Sequence, residues 1–191
     1  MTHTRQVAAE EWFSSEESPV MSVFLDAFVT RLRLRAAAWD TDVRPSDTTF
    51  DASVDEAWCG IQVAGLSGVF TALWLECTED DHGTPRLEGS WGVRDLVADD
   101  YGNDPIRDLT VRGAPITPET LADLAAHWCE RHLRMDISRE EWKHGRWTRR
   151  DDFGRVPHAR RRGVPLRTVL ERSNGRATGL HLEARKPAAP A

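Results

Sequence analysis

Two stretches of the chain repeat apolar residues at three- and four-residue spacing. In the first, Val20, Val23, Phe24, Ala27, Phe28 and Leu32 line one side of a helix, with Ser22, Asp26, Thr30 and Arg33 opposite. Ser18-Pro19 precedes it. Serine caps well, and proline at the first helical position loses no needed hydrogen bond. Arg31, Arg33 and Arg35 fall in the last turns, where positive charge suits the helix C-terminus. The pattern predicts a helix from Pro19 to about Trp39. The second stretch opens on Thr117-Pro118-Glu119. Leu121, Leu124, Ala125, Trp128 and His132 form its apolar face, Asp123, His127, Glu130 and Arg134 the other, and it ends near Met135.

Between the helices the period changes to two. Thr48, Phe50, Ala52 and Val54 alternate with polar residues, and Cys59, Ile61 and Val63 share one face of a strand from Trp58 to Ala64. Gly65-Leu66-Ser67-Gly68 is a turn. Val69 to Cys77 is apolar on both faces, as expected of a central strand covered at least in part on both sides. Glu79 to Pro85 reads as a loop, Leu87 to Val97 as a fourth strand and Leu109 to Arg112 as a short fifth. Short connections favour antiparallel pairing. The expected fold is α+β, an antiparallel sheet of four to five strands packed with two amphipathic helices.

The pattern divides the chain into an acidic flexible arm over 1–18, an α+β domain over 19–135 and a basic segment over 136–191. The last is hairpin-rich or irregular, with a disordered tail from about 186. Ser138-Arg-Glu-Glu141 fits a capping box, but a six-residue helix buries little. A hairpin turning at His144-Gly145 is preferred, with Trp142 opposite Trp147 and Glu140 opposite Arg149. Pro165 to Leu170 and Leu180 to Glu183 are read as short strands or helical turns.

Charge sharpens this division. The net of −6 over 191 residues hides a split. Residues 1–130 hold 9 arginines against 24 carboxylates, a net of −15, while 131–191 carry 16 cations against 7 acids, a net of +9. No apolar run is long enough to span a bilayer, and no signal peptide is evident. Three cysteines without C-x-x-C spacing fit buried thiols in a reducing cytoplasm.

Motifs for named chemistries are missing. The only lysines, Lys143 and Lys186, do not follow glycine, which excludes a phosphate-binding loop. Gly65-Leu66-Ser67-Gly68 lacks the glycine two places after serine that a nucleophile elbow needs. Cys129 and His132, three apart on a helix, are half of a zinc ligand set, but the rest would have to come from Cys59, Cys77 or His82. The acidic loop Glu79-Asp80-Asp81-His82 has hard oxygen donors without EF-hand spacing. Neither pattern carries a metal or cofactor assignment, and no catalytic residue is assigned.

Of eight tryptophans, Trp39, Trp58, Trp74, Trp91 and Trp128 are read as core, being in or beside periodic elements. Trp142 and Trp147 instead stand among arginines. Tryptophan stacks on bases and arginine contacts phosphate. Trp142, Arg146, Trp147, Arg149, Arg150, Arg160, Arg161 and Arg162 are therefore the candidate nucleic-acid-binding residues. The competing reading packs the arginines over a tryptophan pair, their charge answered by the acidic domain.

The function expected is a non-enzymatic intracellular accessory or regulatory protein contacting DNA or RNA through this segment. The alternative is a protein-interaction module, inhibitor- or immunity-like, whose acidic domain meets a basic partner. A small enzyme of undefined reaction ranks below both.

Overall fold

The structure is a computed structural model, and it describes residues 11–15, 20–66, 72–80, 82–91, 109–112, 115–141, 147–151 and 167–182. The chain divides into two compact units. One comprises residues 1–39, 43–63 and 68–129, the other 40–42, 64–67 and 130–191.

The first unit is the α+β domain that the periodicity predicts. Five strands, β1 (Thr48–Ala52), β2 (Glu56–Gln62), β3 (Ala72–Glu79), β4 (Pro85–Trp91) and β5 (Leu109–Arg112), pair antiparallel in sequence order. β3 is central, as its two apolar faces imply. Register aligns Phe50, Cys59, Leu75, Gly89 and Leu109 in one row, and Ala57, Cys77, Leu87 and Val111 in the next on the same face. Helices α1 (Val23–Ala36) and α2 (Pro118–Leu133) pack on that face. The Arg33 guanidinium of α1 lies 5.6 Å from the Phe50 ring centre, and a side chain grown at Gly89 would meet the Trp128 indole of α2. Arg31 clamps the helices side by side, its Nε and Nη2 donating to Asp123 at 2.9 and 3.0 Å.

α1 differs from its expected form in two ways. It begins one turn later, with Ser22 as N-cap accepting from the Leu25 amide at 3.2 Å; Ser18-Pro19 lies outside the described residues. Its buried stripe is Leu25, Phe28, Val29, Leu32 and Ala36, whereas Val20 and Val23 are 74% and 89% exposed. The helix has two apolar stripes. The one that wins holds position through every turn and carries more side-chain volume than Val23, Ala27 and their neighbours. α2 follows its predicted face except at Leu124, which is exposed.

Within the arm expected to be flexible, residues 11–15 are described, and they contribute to the core. Phe13 is fully buried, and its amide donates to Thr48 Oγ1 at 2.8 Å. Its ring and that of Trp12 both pack edge-on against Trp39, with centroids 6.4 and 5.4 Å away. Arg33 closes this join, donating to the Trp12 and Phe13 carbonyls at 3.0 and 2.9 Å.

The second unit contains a four-stranded antiparallel sheet of β6 (Ile137–Glu141), β7 (Trp147–Asp151), β8 (Arg167–Ser173) and β9 (Arg176–Leu182), in the order β7-β6-β8-β9. The β6–β7 pair is the predicted hairpin, but shifted by one residue. Glu141, not Trp142, stands opposite Trp147, and Arg139, not Glu140, opposite Arg149. A one-residue shift exchanges the faces of a strand. β8 and β9 are joined at Asn174-Gly175, both in the left-handed region with φ of 48° and 82°. Asn-Gly is the sequence that tight hairpins favour.

Arg172 of β8 is completely buried. Its Nη2 donates to Asp42 Oδ1 at 2.5 Å and to the Gly175 carbonyl at 2.9 Å. Its Nη1 donates to the Ala64 carbonyl at 2.7 Å. Asp42 also accepts from the Ala177 amide at 2.8 Å. One guanidinium thus joins three separate pieces of chain. Burial works against ionisation of Asp42, but the bonds from Arg172 and Ala177 outweigh it and hold the carboxyl below its usual range.

Candidate functional site

The helices leave the other face of the five-stranded sheet to a different set of side chains. Strand alternation puts Asp51 on it from β1, Glu56, Trp58 and Gly60 from β2, and Trp74 and Glu76 from β3. Arg86 and Glu88 follow on β4 and Arg112 on β5. Among the described residues of this unit, no helix packs on this face.

Register orders these groups into rows. Asp51, Trp58, Glu76 and Glu88 face one another in succession across four strands. In the neighbouring row, the Trp74 indole extends across Gly60 towards Thr49. A Cβ at Gly60 would stand 2.6 Å from that ring and 2.5 Å from Thr49 Oγ1, so glycine makes room for the indole. Trp58 Nε1 donates to Glu56. Trp58 and Trp74 are half-buried, which corrects their reading as core residues. The physical reason is parity. Cys59 and Ile61 point into the core, so Trp58 must point away from it. That signal was present in the sequence.

Charge is uneven across the face. At the β4–β5 end, Arg86 donates to Glu88 at 2.6 Å and Arg112 donates to the same carboxylate. Burial opposes ionisation of Glu88, but bonds from Arg112 and Arg86 outweigh it, and its carboxyl is held below the usual range. At the β1–β3 end, Asp51, Glu56 and Glu76 share the face with two indoles, and no arginine of these three strands is present. The arrangement is an acidic aromatic shelf. Asp51, Trp58, Trp74 and Glu76 each have a partner within the chain, as Glu56 has in Trp58.

The other sequence candidates fall elsewhere. Trp147, Arg149 and Arg150 are on β7, an edge strand of the second sheet. Trp142, Arg146, Arg160, Arg161 and Arg162 lie outside the described residues. Cys129 and His132 are both buried, and burial raises the Cys129 thiol well above its ordinary value, with Cys59 adding to it. Burial likewise raises the Cys59 thiol and, helped by Glu79 and Glu76, pushes Cys77 up to about 12. Neutral buried thiols of this kind are poor nucleophiles. Among the described residues, no group of three or more His, Cys, Asp or Glu could hold a metal ion.

In the acidic loop, Asp80 Oδ1 accepts from the His82 and Thr84 amides at 2.9 and 2.8 Å. The Thr84 and then the His82 backbone bonds hold its carboxyl below the usual range. Asp80 therefore shapes the β3–β4 turn, with Gly83 at φ 70°. Among the described residues, no helix is long and apolar enough to cross a membrane.

Comparison with protein-family models, curated proteins and solved structures gave no match to this chain. Its function therefore rests on the chemistry of these residues.

Proposed function

We propose that the chain is a non-enzymatic binding protein whose α+β unit recognises an arginine-rich segment of a protein partner on the outer sheet face. The observation that carries this reading is Trp58, set between Asp51 and Glu76 in one row, with Glu56 and Trp74 beside it. A guanidinium can stack on an indole while donating to a neighbouring carboxylate, which makes arginine a better ligand than lysine for such a shelf. The net of −15 over residues 1–130 adds long-range attraction for a basic partner.

Titration of the full chain with an oligo-arginine peptide, followed by tryptophan fluorescence, tests this reading. Binding should be saturable, weaken with added salt, and exceed binding of an oligo-lysine of equal charge. Equal binding of the two peptides would count against the shelf.

One observation favours a second reading. β7 places Trp147, Arg149 and Arg150 at the edge of the second sheet, and stacking aromatics next to cations suit DNA or RNA. On that reading a salt series with duplex DNA shows binding at low salt that falls steeply as salt rises. Absence of binding at low salt refutes it.

A further inference from the structure

Residues 11–13 are held in the way a bound peptide is held. They lie outside every helix and strand, and among the described residues their backbone makes no bond to another backbone group. Side chains hold it instead. Arg33 donates from Nε to the Trp12 carbonyl and from Nη2 to the Phe13 carbonyl, and its Nη1 pairs with Glu11 at 2.9 Å. Thr48 Oγ1 accepts from the Phe13 amide. One guanidinium and one hydroxyl thus engage a carboxylate and three successive backbone groups. Phe13 is fully buried and Trp12 half-buried, while Glu11 and Ser14 on either side are exposed. A buried aromatic anchor among exposed neighbours is the arrangement of a recognition hot spot.

The receiving side is positioned independently of this segment. Thr48 Oγ1 donates its own proton to the Pro45 carbonyl at 2.7 Å, which leaves a lone pair for the Phe13 amide. Arg33 is seated on the Phe50 ring. The Trp39 amide is tied to the Ala36 carbonyl at 3.0 Å, just after α1. None of these three contacts involves residues 11–13. The occupant, by contrast, is strained. Phe13 has φ 52°, a left-handed value that bulky side chains rarely take. Such strain lasts only while surrounding contacts enforce it, and it works against the docked state.

We infer that this slot is a binding site for a short acidic peptide of the form Glu-aromatic-Phe. The chain's own residues 11–13 occupy it, and a like segment of a partner protein takes it by displacing them. Phenylalanine fills the slot, the carboxylate two places before it meets Arg33, and the backbone bonds fix the direction of the peptide. A tethered occupant competes at high effective concentration, so the slot is largely blocked in the resting chain. Thr48 and Phe50 are on the inward side of β1, so the inference is independent of the outer sheet face and of its proposed ligand.

A fluorescein-labelled peptide of residues 9–16, titrated against the full chain carrying Phe13→Ala and followed by polarisation, tests it. Binding should be saturable and at least about tenfold tighter than to the parent chain, whose own segment competes. The same peptide with Phe13→Ala should bind at least about tenfold more weakly, as loss of an anchor does. A second preparation decides the matter if the Phe13→Ala chain does not fold. The parent chain is cut at a protease site inserted between Glu17 and Ser18. Labelled peptide should then exchange into it, with circular dichroism unchanged. The inference is overturned if a folded Phe13→Ala chain binds no peptide, if the parent binds it as tightly, or if both peptides bind equally. Loss of the fold on cleavage, or no exchange into the cut chain, overturns it too, since the segment is then a fixed part of the core.

Discussion

Replacing Arg172 with methionine removes the guanidinium that joins residues 42, 64 and 175. The cost follows from what stays behind. Asp42 keeps its bond from the Ala177 amide, and the Gly175 carbonyl still accepts from the Asp42 amide at 3.1 Å. The Ala64 carbonyl loses its donor, and the Asp42 carboxylate loses both guanidinium bonds. Breaking a buried ion pair by removing one partner costs roughly 3–5 kcal/mol. The Asp42 side chain is 25% exposed, so water recovers part of that loss. The expected cost is therefore about 3 kcal/mol, the low end of the range. Urea unfolding followed by far-ultraviolet circular dichroism measures it, and hydrogen exchange at residues 170–177 locates it. Asp42→Asn should also destabilise, since it strands the buried guanidinium. The double variant should lose less than the two single losses together. A cost for Arg172→Met within about 0.5 kcal/mol of zero, as for an ordinary surface residue, would refute the reasoning.

Stability should fall at both ends of the pH scale, each limb having a named origin. Asp42 and Glu88 have folded values below their unfolded ones, so their contribution is present above pH 4–5 or so and is lost as pH falls through the folded values. Cys77 is the opposite case. Its contribution is full below the ordinary value of 9.0 and is lost as pH rises towards about 12. Urea midpoints across pH check both limbs, and Cys77→Ala should make the alkaline one shallower, Cys59 and Cys129 supplying the rest. Phe13→Ala should cost about 3–5 kcal/mol and weaken the near-ultraviolet signal of its tryptophan neighbours; a change under about 1 kcal/mol would mean the N-terminal segment is not docked. Gly60→Ala should cost roughly 1–3 kcal/mol, because the Trp74 ring must move, and its fluorescence should shift with it.

Much of the first unit could be read from the sequence because its signals are local. Period-two runs marked β1 and β2, a run apolar on both faces marked β3, and the Thr117-Pro118 cap marked the start of α2. α1 was misread because two apolar stripes compete on one helix. The buried stripe, Leu25, Phe28, Val29, Leu32 and Ala36, carries the larger side chains, a local signal that the weight given to Val20 and Val23 obscured. Phe13 was missed for a different reason. Its partners Trp39 and Thr48 are distant in sequence, so a short polar segment concealed a core residue. The Asn174-Gly175 turn, by contrast, was legible and passed over. The hairpin at β6–β7 was foreseen, but turn length alone left its register one residue out.

The candidate site was less legible than the fold. The tryptophans singled out were those beside arginines, while Trp58 and Trp74 were assigned to the core for sitting in strands. Parity within β2 and β3 places both on the outer face. Their neighbourhood with Asp51 and Glu76 exists only through register between strands, a tertiary property.

The most direct test of the central claim is an NMR titration of the full chain with oligo-arginine, observing the indole protons and the amides of β1 to β3. The account predicts the largest shifts at Trp58, Trp74, Asp51 and Glu76, and an affinity about tenfold weaker for Trp58→Ala, in keeping with loss of an aromatic anchor. Shifts spread over all acidic segments, with Trp58→Ala binding as tightly as the parent, would contradict it.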